Sequence, residues 1–150
     1  MIRALQVYYQ TGIPLSQHNE MKQPPRDISF LVFILTMDRS RLYQRINQRV
    51  DDMFKKGLWE EFQSLRGKGF FRNDPGLQCV GYKELFDVEE NRTKLSEAIL
   101  EIKRNSRRYA KRQFTWFTNK TKGFLVDIEH NRTQSFIKTK IDEFIKNEKV

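Results

Sequence analysis

The sequence predicts a helix-dominated α/β layer fold with one or two short strands of a parallel sheet. Three observations lead there. Apolar residues recur at helical spacing over most of the chain, as in the stripe Leu42, Ile46, Val50 and Met53. Ile28 to Leu35 is instead a continuous run of β-favouring residues with weak alternation, as in a central strand covered on both faces. A second short run, Phe124 to Ile128, follows Gly123 and predicts another strand.

Composition supports a folded chain. Its 150 residues are one domain's worth, and 38% hydrophobic with 13% aromatic content supplies a core. The longest apolar run is far short of the ~18 residues a spanning helix needs, and Met1-Ile2-Arg3 opens no signal-peptide pattern. A cytoplasmic protein away from membranes is expected. Cys79 is the single cysteine, so no internal disulfide can form, and His18 and His130 give no zinc-ligand cluster. They also lie far in sequence from Cys79, which leaves a nucleophilic role for the thiol with little support.

The elements follow in order. Residues 1–10 read as a helix with Leu5, Tyr8 and Tyr9 on one side and no N-cap before it. It reads as the downstream part of something larger. Gly12 and Pro14 close it, and a polar loop is expected from His18 to Asp27, ending the first segment, 1–27. A core segment, 28–122, and a terminal strand and helix, 123–150, complete the expected organisation. Asp38 is placed to cap the helix after the first strand. Gly57 breaks that helix, a further amphipathic piece runs from Leu58 to Leu65, and Gly67 ends it. Asp74-Pro75-Gly76 signals a turn, followed by a short helix to about Phe86. The longest helix is expected from about Thr93 to Asn119. Phe136, Ile137, Ile141, Phe144 and Ile145 mark a terminal one.

Net charge is +9, and its location matters more than its size. Between Lys103 and Lys122 stand eight basic residues and no acidic one; the remaining 20 basic residues nearly cancel the 19 acidic ones. Such concentration suits a surface that meets a polyanion. On the long helix, Leu95, Ala98, Ile99, Ile102, Ser106, Tyr109, Gln113, Trp116 and Phe117 share one face. Arg104, Arg107, Arg108, Lys111 and Arg112 share the other. A solvated face is the alternative, yet the like charges at 104/108, 107/111 and 108/112 oppose one another and call for an external anion. Among Phe114, Trp116 and Phe117, core packing is expected for at least two, although the cluster could stack bases.

Two smaller features complete the candidates. Arg41, Arg45 and Arg49 align on one helix side just after a strand, where open α/β sheets bind ligands, and guanidinium suits phosphate. Pairing with Asp38 and Asp52 is the equal alternative. The loop Gln78-Cys79-Val80-Gly81-Tyr82-Lys83 could set a polar edge and a ring against a base. Physical reasoning slightly favours Cys79 and Val80 as buried anchors.

Arg3-Ala4-Leu5-Gln6-Val7-Tyr8, Leu42-Tyr43-Gln44-Arg45-Ile46-Asn47-Gln48-Arg49-Val50-Asp51-Asp52-Met53 with Gly57-Leu58 and Glu61, Gln78 to Glu84, and Arg107 to Phe117 occur in this order. The set resembles the downstream half of bacterial tRNA dimethylallyltransferases. The resemblance implies a P-loop NTPase-like α/β enzyme, monomeric, that uses Mg²⁺ and moves the dimethylallyl group of dimethylallyl diphosphate to N6 of adenosine 37 in tRNA. It implies that Arg49, supported by Arg45, binds the diphosphate. It further implies that Gln78, Cys79, Val80, Gly81, Tyr82 and Lys83, together with Arg112, Gln113, Phe114, Thr115, Trp116, Phe117, Thr118 and Asn119, hold the anticodon stem-loop. Arg104, Arg108 and Lys111 add phosphate contacts, and Arg3 a further tRNA contact. Thr118 stands where many members have Arg. Nothing in the chain fits G-x-x-x-x-G-K-[ST]: around Gly67-Lys68-Gly69, Phe62 takes the place of the first glycine and Gly69 that of the hydroxyl. The phosphate loop and the catalytic aspartate are therefore expected upstream of Met1, and no catalysis by this chain alone. A non-catalytic basic RNA-binding module is the rival reading. A helical interaction protein without nucleic acid explains the stripes but not the charge.

Overall fold

A computed structural model describes residues 2–21 and 28–147. The chain divides into two compact units, residues 1–31 and 32–150. In the first, α1 (Ile2–Thr11) and α2 (Leu15–Met21) contact each other. Gly12, at φ +71°, turns the chain between them and donates its N–H to the Tyr8 carbonyl at 2.7 Å. A side chain there would be strained, because only glycine enters this region freely. Thr11 Oγ1 lies 3.0 Å from His18 Nε2, which ties the two helices. The polar loop expected from His18 is thus helical as far as Met21, and the rest of it, 22–27, lies outside the described residues.

The second unit holds β1 (Phe33–Thr36), α3 (Arg39–Lys55), α4 (Leu58–Gly67), a 3₁₀ turn (Pro75–Gln78), α5 (Tyr82–Glu89), α6 (Leu95–Lys120), β2 (Phe124–Asp127) and α7 (Thr133–Asn147). The chain is mostly helical with a two-stranded parallel sheet, in register Phe33↔Phe124 to Thr36↔Asp127. The first strand is shorter than expected and is not covered on both faces: Ile34 is buried, but Leu35 is 63% exposed. Alternation along a strand sends these neighbours to opposite sides, and the side Leu35 faces is open at this position although its register partner Val126 is buried. Ile28 and Phe30 lie outside the strand and are exposed.

Local signals set the helix ends. Asp38 caps α3, its carboxylate accepting from the Arg41 N–H at 3.0 Å. Gly57, at φ +96°, separates α3 from α4. Glu97 closes the start of α6, accepting from Thr93 Oγ1 at 2.7 Å and the Lys94 N–H at 3.3 Å. The core joins Val50 of α3, Leu58 and Phe62 of α4, Leu77, Leu85 and Phe86 near α5, and Ile102 of α6. Phe62 is fully buried, stacked on Trp59 at 5.6 Å and edge-on to Phe86 at 5.0 Å. Arg66 and Arg72 lie over the Phe86 ring and pair with Glu89 and Asp87, fixing the loop between α4 and the 3₁₀ turn.

Gly123 admits no side chain for a different reason. A Cβ there would sit 2.7 Å from the Val32 carbonyl oxygen, where Phe124 N–H bonds to the same oxygen at 2.9 Å. Gly123→Ala should cost about 1–3 kcal/mol, the usual range for overpacking. A urea midpoint equal to that of the parent would contradict this.

Candidate nucleic-acid interface

Helix α6 has 26 residues, about 39 Å of length, whereas α3, on which it packs, has 17 and spans about 26 Å. Its first half supplies the core through Ala98 and Ile102. Its second half outruns that support. Phe114, Trp116 and Phe117 are 52%, 57% and 44% exposed, so core packing for two of them does not occur. Trp116 and Phe117 instead meet edge-to-face at 5.0 Å.

The basic residues of α6 separate into two groups. Lys103 Nζ reaches Asp51 at 2.6 Å and Arg107 donates to Asn47 Oδ1 at 2.6 Å, two rungs that clamp α6 to α3. Arg107 is therefore half-buried, not part of the open face. Arg104 binds Glu101 one turn back and holds that carboxyl below its ordinary value. Arg108, Lys111, Arg112 and Lys120 have no ion pair among the described residues and are exposed. With Thr115, Trp116 and Asn119 they line an open groove of about 560 Å³. Thr118 is half-buried and donates to the Phe114 carbonyl at 2.9 Å, so it faces its own helix.

The loop at residues 78–83 departs from expectation. Cys79 and Val80 are exposed, and the buried anchors are Leu77 and Gly81. The 3₁₀ turn aims Leu77 into the core, while Gly81, at φ +115°, reverses the chain where a side chain would be strained. Cys79 Sγ donates to the Gly76 carbonyl at 3.3 Å. Gln78, Cys79 and Val80 then line one wall of a cleft of about 770 Å³; Ile46, Arg49 and Val50 of α3 and Ser106, Tyr109 and Gln113 of α6 line the others. In the sequence Ser106 stands only as a member of the helix stripe, and Tyr109 as a member of that stripe and of the motif from Arg107 to Phe117. Lys83 is exposed and borders a smaller pocket with Gln78 and Arg72.

Arg49 faces two cavities. Besides the cleft, it lines a pocket of about 420 Å³ on α3 with Arg45, Gln48, Asp52, Met53 and Lys56. Pairing of the arginine ladder with Asp38 and Asp52 is not observed: Asp38 caps α3, and Asp52 accepts from Gln48 and faces Lys55. Arg41 pairs with Glu129 at 3.2 Å, whereas Arg45 and Arg49 have no ion pair among the described residues. These cations suit an anion better than a metal. Among the described residues no three His, Cys, Asp or Glu side chains converge, and Asp52 is the one carboxylate on the arginine pocket, so the residues do not fit Mg²⁺. Arg3 is exposed on α1 of the first unit.

Tyr82 fastens the loop to α4. Its hydroxyl donates to Glu61 Oε1 at 2.5 Å, and that bond, then burial, pushes the phenol from 10.0 up to about 12. A raised folded-state value means the stabilisation is complete below pH 10 and is lost as pH rises through about 12. Tyr82→Phe should therefore lower stability at neutral pH and flatten the fall in urea midpoint over that interval. Equal slopes for both proteins would refute the assignment.

Fold and site together define an α/β chain in which a basic helix and an arginine-bearing helix share a cleft. A sequence profile of the family described as IPP transferase matches residues 1–120. The chain belongs to this family. It is 49% identical over 119 residues to a tRNA dimethylallyltransferase of Geobacillus thermodenitrificans, covering 79% of this chain and 38% of the relative. A full-length tRNA isopentenylpyrophosphate transferase from Bacillus halodurans superposes with a TM-score of 0.72 at 37% identity, over 91% of this chain and 47% of that one. A eukaryotic dimethylallyltransferase acting on tRNA gives 0.71 at 26% identity, over 97% and 40%. The chain spans 38% of the length of the curated relatives it matches. No described helix is long and apolar enough to cross a membrane.

Proposed function

We propose that the chain serves tRNA modification, contributing an RNA-binding surface and part of a diphosphate site to dimethylallyl transfer. The observation that carries this reading is the group Arg108, Lys111, Arg112 and Lys120, without an ion pair among the described residues, around exposed Trp116, on the helix that also walls the Arg49 cleft. Phosphates would meet the cations, and a base could stack on the indole. An adenine entering the cleft would find Gln78 on one wall and Tyr109 on another.

In the reaction, N6 of adenosine 37 forms a bond to the allylic carbon, the carbon–oxygen bond breaks, and N6 gives up a proton. Diphosphate leaves with the electron pair. Arg49 and Arg45 would offset the charge growing on it, the role guanidinium groups fill in phosphate chemistry. We further propose the anticodon stem-loop as the target, and a monomer in the cytoplasm with a P-loop NTPase-like fold for the complete enzyme. Mg²⁺ would be held mainly by residues outside this chain. A purely non-catalytic RNA module leaves the arginine pocket beside the cleft without a purpose.

Titrating the chain with an anticodon stem-loop, with an unrelated hairpin of equal length, and with dimethylallyl diphosphate tests this reading. Preference for the stem-loop is expected, together with diphosphate binding weakened about tenfold or more in Arg49→Ala, because a charge-assisted bond is lost. Weakened RNA binding with unchanged diphosphate binding would reverse the assignment of Arg49.

A further inference from the structure

The Gly81–Tyr82–Lys83–Glu84 turn contains a buried acid for which the proposed chemistry has no use. Glu84 is 4% exposed and has no ion pair among the described residues. One carboxylate oxygen accepts the Gly81 N–H at 2.8 Å, closing the first turn of α5. An acid at this helical position does so routinely. Its other oxygen does something different: it accepts Asn105 Nδ2, from α6, at 2.8 Å. Asn105 lies one residue beyond Arg104 and one turn before Tyr109, which lines the cleft. The same Nδ2 also reaches Glu101 at 3.3 Å, and Glu101 holds Arg104.

A carboxylate removed from water without a cation is costly unless hydrogen bonds satisfy it, and each bond here joins a different element. Gly81, at φ +115°, joins the exposed 78–80 segment to α5, and Asn105 lies within α6. We propose that Glu84 is a positioning residue that locks the base-facing loop to the phosphate-facing helix through Gly81 and Asn105. It touches no RNA itself. By tying the loop to α6 it sets the opening of the cleft, so that bases and phosphates of one RNA can be engaged together. This deepens the RNA-binding reading and rests on it for its functional consequence, but not for the tether itself.

The tether is tested in the intact chain by hydrogen exchange and by RNA binding. In Glu84→Ala the Gly81 N–H loses its acceptor and the Asn105 amide keeps only Glu101 of its own helix; exchange across 78–83 should accelerate about tenfold or more while that of residues 98–102 stays unchanged. Preference for the stem-loop over the hairpin should fall about fivefold or more with the salt dependence unaltered, because no phosphate contact is removed. Glu84→Gln should restore both readouts to within about twofold of the parent: its amide oxygen can accept from Gly81 and its NH₂ can donate to Asn105 turned over. Asn105→Ala, which leaves the α5 cap intact, should follow Glu84→Ala and decides the matter if that variant does not fold.

Unchanged exchange in the loop, or faster exchange spread equally through α6, would overturn the proposal. So would faster loop exchange with undiminished stem-loop preference. A parent chain with no stem-loop preference would refute the RNA-binding reading instead, and exchange would still decide the tether.

Discussion

Replacing Arg108 and Lys111 together with Gln is expected to weaken binding to RNA hairpins of any sequence by about 100-fold at low salt, two charge-assisted phosphate bonds being lost. Both side chains line the groove on α6, are exposed, and have no carboxylate partner among the described residues. Their positive charge is therefore available to phosphate. Each phosphate neutralised releases counterions, so two lost contacts should flatten the slope of log affinity against log salt by about 1.4–1.8. Arg104→Gln provides the control: Glu101 already holds that guanidinium, so the slope should change by much less than for either open cation. Salt titrations of the three proteins on one hairpin check this. Parallel lines for the parent and the double variant would mean that the groove meets only water.

Phe62→Ala should have the largest effect on stability, about 3–5 kcal/mol, because an aromatic side chain is removed from a site with little room to collapse. Phe62 has no exposed surface and contacts the rings of Trp59 and Phe86. The loss is a large part of the 5–15 kcal/mol that holds a typical domain together. Phe117→Ala, at a ring 44% exposed, should cost far less. Urea unfolding followed by tryptophan fluorescence measures both. Similar midpoints for the two variants would contradict the placement of Phe62 in the core and Phe117 at its margin.

That contrast shows where sequence reasoning reached its limit. Phe62 and Phe117 carry the same apolar signal on helices of similar patterning, and periodicity alone puts both inward. Only the relative lengths of α6 and α3 leave Phe117 beyond the core. The loop is a second case. Leu77, Cys79 and Val80 all qualify as anchors by composition, and the direction of a single 3₁₀ turn selects Leu77 and turns the other two outward. The short first strand is a third: a continuous apolar run reads as covered on both faces, but coverage depends on neighbours far along the chain.

By itself the sequence determined what acts over a few residues: the Asp38 cap, the break at Gly57, the span of α6 and the concentration of charge between Lys103 and Lys122. Its ordered motifs also carried the family resemblance, since these are matters of residue identity and order. Tertiary structure alone decided which cations remain available. Lys103 and Arg107 bind Asp51 and Asn47, more than 50 residues away in the chain, while Arg108, Lys111 and Arg112 lie in the same run without such partners among the described residues. Charge is local and can be counted along a sequence. Its neutralisation depends on distances of a few ångströms that exist only after the helices pack.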